Sequence, residues 1–378
     1  MALSRRNFLK ASAAVVGGCI VVGGGGYLAL DSMGRPVSVE KNADLEFMMD
    51  EEVKEVLYCA SLAPSSHNIQ NWLVGASPEK GELNIYLDRQ RALPAIDPER
   101  KEPVIAIGAF TQNLIEAFES SGYRSDIALN EDKDHPLCAT LSYTKAASFA
   151  PKTSAFDVFS LRHSDKSAFK KEALPESILS KLLTEHGSAV HYYSGSGDDG
   201  SFLAETTLKA FIQQSNDQEA RDELAQWLRF SDAETRERKD GLPAEQLGLS
   251  GFMKTFYYLT TNRESASGDT FAQQGIDKAR TQLDGCAGFF LVTGGEGKRA
   301  WLETGMRLEA FWLDATRAGI AIHPMSAALQ ERPFKQEVTE RFGQGKSVHM
   351  ILRAGLSGNY GKNAGIRRDL NEFMFLEN

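Results

Sequence analysis

Leu161-Arg162-His163-Ser164-Asp165-Lys166-Ser167-Ala168-Phe169 follows an apolar-punctuated run from Phe156 to Ser160. If the segment is extended, alternation sets Arg162, Ser164 and Lys166 on one side, giving one forked cation, one hydroxyl and one ammonium. A guanidinium grips phosphate through two parallel bonds, a lysine adds a mobile point charge, and a serine hydroxyl serves a neighbouring sugar or ring oxygen. The cluster suits a phosphate-bearing cofactor. The competing reading is a solvated basic turn that closes a helix.

A second stretch, Ala63-Pro64-Ser65-Ser66-His67-Asn68-Ile69-Gln70-Asn71-Trp72, comes after the helical-looking run Glu51 to Leu62. Arg162-His163-Ser164-x-Lys166-x-x-Phe169 and Pro64-Ser65-Ser66-x-Asn68-x-Gln70-x-Trp72 together resemble two signatures of the FMN-dependent nitroreductase superfamily, the second of which normally ends Gln-Pro-Trp. Family members carry the basic element first and the Pro-Ser-Ser element a few tens of residues later. Here the order is reversed and the two are widely separated.

The resemblance implies an α+β nitroreductase-like fold with FMN as cofactor. In the family each FMN lies at a homodimer interface, one subunit giving the basic element and the other the Pro-Ser-Ser loop. The reversal therefore resembles the Acg-type branch, in which two related halves are fused in one chain. That implies a monomer with an internal pseudo-dimer and one composite FMN site. By the same resemblance Arg162, Lys166, Arg367 and Arg368 neutralise the phosphate. Ser164, Ser65, Ser66 and Asn68 bond the ribityl chain or ring edge, Pro64 opens their loop, and His163 and His67 lie within reach of the cofactor. Ile320 to Ala328 resembles the loop passing over the flavin, with Pro324-Met325-Ser326-Ala327 where many members have Pro-Xaa-Glu-Gly. An acid is lost there, with a glycine whose backbone N–H usually approaches flavin N5. The implied activity is two-electron hydride transfer to nitro compounds, quinones or a similar small-molecule electron acceptor. The alternative is a catalytically poor protein that sequesters or stores FMN.

Ser4-Arg5-Arg6-Asn7-Phe8-Leu9-Lys10 precedes an apolar, glycine-rich run from Ala11 to Leu30 and resembles a twin-arginine export signal. It implies the twin-arginine export machinery as a partner and a periplasmic or exported location, with the segment either cleaved or retained as an anchor. Val16-Gly17-Gly18-Cys19 is a marginal lipobox. Export of folded protein suits a chain that acquires its flavin in the cytoplasm. Free NAD(P)H is not expected outside it, so an exported enzyme needs another donor, a quinol or a protein. The formal net charge of −9, with no compensating basic stripe, argues against a nucleic-acid partner. Cys59, Cys138 and Cys286 show neither metal-ligand spacing nor a disulfide framework and read as packing residues. No His-Glu-x-x-His and no serine-hydrolase elbow appears.

The sequence divides into a signal or anchor at residues 1–35, a polar linker from Asp31 to Asp44, a first half at 45–150 and a second at 151–378. An inserted lid segment occupies about 200–275, read from its polar helical period between Gly195 and Gly241-Leu242-Pro243. The aromatics of Phe252-Met253-Lys254-Thr255-Phe256-Tyr257-Tyr258 either cover the flavin or pack between the halves. Periodicity predicts helices over 52–62, 103–122, 175–185 and 301–318, and strands over 83–87, 137–143 and 288–293, while Val348 to Gly355 resembles the family's late strand. Gly319 is placed to end the last helix. Gly108-Ala-Phe-Thr-Gln-Asn-Leu and Gly305-Met-Arg-Leu-Glu-Ala-Phe are similar in character and support a two-fold internal repeat.

Overall fold

A computed structural model describes residues 45, 47–146, 155–358, 360 and 365–377. The stretch that resembles an export signal, the linker from Asp31 to Asp44 and the boundary between halves near residue 150 lie outside the described residues. Among the described residues no helix is long and apolar enough to cross a membrane.

Two helices of equal length, Lys101–Ser120 and Lys298–Arg317, cross at the centre. A Cβ on Gly108 would fall 2.1 Å from the carbonyl oxygen of Leu302, and one on Gly305 would fall 1.9 Å from that of Ile105. Each glycine thus meets the carbonyl three residues before the other, and only a residue without a side chain lets the two backbones approach so closely. This reciprocal contact joins the two segments that the sequence pairs as a repeat. The first helix is started by Asp97, whose carboxylate accepts the N–H groups of Lys101 at 3.2 Å and Glu102 at 2.8 Å. Gly319, at φ +74°, follows the second and relieves the left-handed turn there.

A sheet stands beside each helix. The first combines β1 (Trp72–Ser77), β2 (Glu82–Leu87), β3 (Tyr123–Leu129) and β4 (Leu137–Lys145) in the order β3-β4-β2-β1, and the second combines β5 (Val190–Ser194), β6 (Gly288–Gly294), β7 (Ala321–Pro324) and β8 (Ser347–Gly355) in the order β5-β6-β8-β7. The architecture is α+β, with two sheet-and-helix halves in one chain. A last strand, β9 (Met374–Leu376), adds to the first sheet parallel to β1, pairing Val74 with Met374. The chain's end therefore completes the half it did not come from. β6 is buried along its whole length, as its unbroken apolar run requires. The first core joins helix Glu51–Ser61, the sheet and the central helices, with Trp72 stacked on Phe110 at 4.9 Å. Cys59, Cys138 and Cys286 are buried.

The insert is helical, but not as one long element. Asp217 and Ser231 cap new helices at Gln218–Trp227 and Asp232–Arg238, because their side chains accept from Glu219 and Glu234 N–H groups and interrupt the continuous period. The turn expected at Gly195 to Gly200 is shorter than that, since helix Asp198–Asn216 already starts inside it. This helix packs with Asp269–Asp284 on the second core through Leu203, Ala210, Ala279 and Leu283. The insert also grips the first half: Glu223 accepts the backbone N–H groups of Ala95 and Ile96 at 2.9 and 3.3 Å.

Candidate functional site

Helix Glu51–Ser61 delivers the Pro-Ser-Ser loop, since the chain before a proline leaves the α region. Beyond Pro64 the backbone is forced into the left-handed region at His67, Asn68 and Gln70, with φ of 50°, 53° and 50°. Such conformations persist where surrounding contacts over-determine them. Here they do. Ser65 Oγ accepts the Gln70 N–H at 3.0 Å, and the Ser66 hydroxyl donates to Glu102, whose other oxygen accepts from Gln330 at 2.6 Å. Asn68 donates to the carbonyls of Gly241 and Ile366 at 3.1 and 3.2 Å and accepts from Arg367 at 3.2 Å. Gln70 donates to the Lys239 carbonyl at 2.8 Å and accepts the Arg368 N–H at 2.9 Å. The loop thus ties the insert and the C-terminal segment to the first half.

Three of the four cations singled out in the sequence turn inward on this loop. The Arg162 and Arg367 guanidiniums both donate to the Leu62 carbonyl, and Arg367 also donates to Ser61 and Ala63. Cations at the carbonyl end of a helix are favourably placed. Burial, with Arg162 beside it, pushes Arg367 down to about 9. Arg162 also ion-pairs through Nε with Glu309 at 2.9 Å and lies 4.7 Å over the Trp312 ring. Burial holds the Glu309 carboxyl up at about 7 against the opposing pull of Arg162. Arg368 donates to the carbonyls of Gln70 and Trp72 and lies 5.5 Å from the Phe373 ring.

Arg162, Ser164 and Lys166 do not share a face as strict alternation would require. Helix Ala155–Leu161 runs directly into the motif, so Arg162 is still carried inward, while Ser164 pairs with Ile322 beside β7 and exposes its side chain. Lys166 is half-buried, and among the described residues its ammonium meets no carboxylate. Around it stand His67, His323, Lys278 and Arg353. Burial, then Lys278, pushes Lys166 down to about 8, and burial, then Lys166, pushes His67 down to about 4. His323 is held well below the usual imidazole range by burial, then by Arg353, Lys166 and Lys278. The Nδ1 atoms of both histidines are buried without a partner. Arg353, stacked 3.7 Å over Phe169, donates to the carbonyls of Gln282, Asp165 and Ser167. A positive group of this kind, drier than water, is stabilised by an anion placed among its members.

His163 is anchored by Nδ1 to the Leu161 carbonyl at 2.7 Å and packs on Tyr360. Pro324 ends β7. Met325 N–H bonds the Ile351 carbonyl at 2.8 Å and Ser326 Oγ accepts the Ile351 N–H at 3.2 Å, so this loop is stitched to β8. The aromatics of Gly251–Thr260 find partners inside the insert: Tyr257 stacks on Phe230, Phe252 on Phe256, and the Lys254 ammonium bonds Asp232 and Glu245. Lys278, Glu309 and Glu102 carry no motif, and only their three-dimensional neighbours single them out.

The fold and this polar centre define a two-halved α+β protein in which a first-half loop and a second-half strand bring a group of cations and histidines together. A scan against protein-family models matches none. Among curated proteins the chain is similar to the probable NAD(P)H nitroreductase PigM of Serratia sp. (strain ATCC 39006), 24% identical over 299 residues that cover 74% of this chain and 81% of that protein. It is likewise 24% identical over 314 residues to the putative NAD(P)H nitroreductase Rv3131 of Mycobacterium tuberculosis (strain ATCC 25618 / H37Rv), covering 81% of this chain and 85% of the relative. To the putative NAD(P)H nitroreductase acg of the same strain it is 22% identical, covering 81% and 89%. A solved structure, the FMN-dependent nitroreductase NfnB from Mycobacterium smegmatis in complex with NADPH, aligns with a TM-score of 0.39 at 16% identity, covering 60% of this chain and 99% of that one.

Proposed function

We propose that this chain is an FMN-dependent oxidoreductase of the nitroreductase type, holding one FMN between its two halves and passing two electrons to a small-molecule acceptor. One observation carries the reading. The Pro64–Gln70 loop of the first half and the Lys166 and His323 group of the second converge, with His67 close enough to feel the Lys166 charge. The relatives named NAD(P)H nitroreductases support it over four-fifths of the chain. The orphaned Nδ1 atoms and the lysine without a carboxylate fit an anionic, hydrogen-bonding group.

When bound, FMN supplies hydride chemistry through its ring nitrogen N5. The chain's own work is grip and orientation. Lys166 faces the phosphate as a point charge, and neutral His67 and His323 offer hydrogen bonds that add no competing positive charge. Exposed Ser164 is free to reach the phosphate or ribityl chain, while Pro324, Met325 and Ser326 form a wall fixed to β8. Arg162, Arg367 and Arg368 hold the Pro-Ser-Ser loop in its strained shape by occupying its carbonyls. Read as an export signal, the start Ser4-Arg5-Arg6 supports an exported enzyme, which would need a donor such as a quinol or a partner protein.

The folded protein should be yellow and release FMN on denaturation. Anaerobic reduction by NADPH, compared with dithionite alone, separates an oxidoreductase that takes nicotinamide electrons from a flavin store or an enzyme with another donor. A folded, colourless protein that takes up no added FMN sinks the proposal.

A further inference from the structure

We infer that Lys278, on helix Asp269–Asp284 at the end of the inserted segment, is a second phosphate-binding lysine beside Lys166, so that this helix grips the phosphate monoester of the cofactor. This rests on the FMN reading above and extends it to a segment that neither motif includes.

The placement of the helix carries the inference. Gln282 donates to the Lys166 carbonyl at 2.7 Å, and its own carbonyl accepts from Arg353 at 3.1 Å, which lays this helix along the basic motif. Lys278 lies four residues earlier and so on the same face. Gly248, at φ +75°, lies between the two lysines. A Cβ there would sit 3.2 Å from Lys278 Nζ and 3.8 Å from Lys166 Cβ. The Lys278 ammonium donates to the Leu247 carbonyl, which leaves two of its three N–H groups for another acceptor.

Among the described residues neither adjoining carboxylate is ion-paired with Lys166 or Lys278, although Asp165 Oδ2 is buried without a partner. Asp165 accepts the Ser167 N–H at 2.8 Å, and exposed Asp277 accepts from Gln273 at 3.0 Å and lies 3.7 Å from Arg280. Two ammoniums held together without an anion repel each other, and a phosphate monoester carries close to two negative charges at neutral pH. A dianion between them turns that repulsion into two charge-assisted contacts. Arg162, Arg367 and Arg368, by contrast, already serve backbone carbonyls. The lysine pair is the part of the centre free to take up phosphate.

The test is titration of the flavin-free full chain with FMN and with riboflavin, which lacks the phosphate, for wild type, Lys278→Gln, Lys278→Arg and Lys166→Gln. Expected is a loss of FMN affinity of about tenfold or more in Lys278→Gln, unchanged riboflavin binding, and retention of most FMN affinity in Lys278→Arg. Wild-type FMN affinity in Lys278→Gln, or equal losses for FMN and riboflavin, would overturn the inference while leaving the flavin reading standing. Wild type that binds neither flavin overturns both, and the wild-type titration alone reveals it.

Discussion

Glu309 offers a stability measurement that reads the buried centre directly. Its carboxyl is fully enclosed at the helix crossing and is pushed up to about 7 from the model-peptide range near 4.5, chiefly by burial. A raised acid binds its proton more tightly in the folded than in the unfolded state. Its contribution is therefore fully present below about pH 4.5 and is lost as pH rises to about 7. Each pKa unit corresponds to about 1.4 kcal/mol, so this one group should withdraw roughly 3 kcal/mol of stability across that window. Glu309→Gln removes the titration and mimics the protonated carboxyl, so its stability should lie close to that of wild type near pH 4.5. Urea unfolding of both proteins from pH 4.5 to 8 is the assay. Asp97, raised to about 6 by burial and then by Glu102, adds its own slope in the same direction. That slope is common to both proteins and cancels in the difference. Wild type should fall below the variant as pH rises, by about 3 kcal/mol in all. Parallel curves would show that Glu309 stays ionised throughout, and the account of the Arg162 pair would fall with it.

Gly305→Ala should destabilise the protein by roughly 3 kcal/mol or more, because its Cβ meets a backbone carbonyl that no side-chain rotation can move; thermal unfolding checks this. Arg162→Ala should weaken FMN and riboflavin alike, since it removes the support of the Leu62 carbonyl and orphans Glu309; a loss confined to FMN would return Arg162 to the phosphate. Lys166, pushed down to about 8, is charged below that pH and is held charged by a bound phosphate, so FMN affinity should fall as pH rises from 8 to 10 in flavin titrations, and riboflavin affinity should not change. Sedimentation of the holoprotein should give a monomer with one flavin per chain. One flavin per two chains would remove the composite intrachain site.

Much of this architecture was legible because it rests on local rules. The periods of Lys101–Ser120 and Lys298–Arg317 and the apolar run of β6 are written in neighbouring residues, whereas the likeness of the Gly108 and Gly305 segments pointed to a repeat and not to their contact. Other parts depended on contacts that no local pattern encodes. β9 is three residues long, too short for alternation to show, and exists because β1 has an edge to complete. The interruption of the insert's helices turned on whether Asp217 and Ser231 point at a backbone N–H, which their identity permits but does not dictate.

The cations make the same point more sharply, because residue type told their charge and not their partner. Arg162 and Lys166 lie four positions apart in one motif, yet the first ends beneath helix Glu51–Ser61 and the second faces a lysine from helix Asp269–Asp284. The difference follows from what each side chain can satisfy. A guanidinium has five donors in a fixed fork and is weakly hydrated, so it can be buried against several carbonyls and a carboxylate at once, as Arg162, Arg367 and Arg368 are. An ammonium is strongly hydrated and costly to bury without an anion. Lys166 therefore stays at the half-exposed edge of the same centre, where a phosphate from solvent can reach it. The arginines thus act as the mortar of the strained loop, and on the proposed reading the work of charge recognition passes to the lysines.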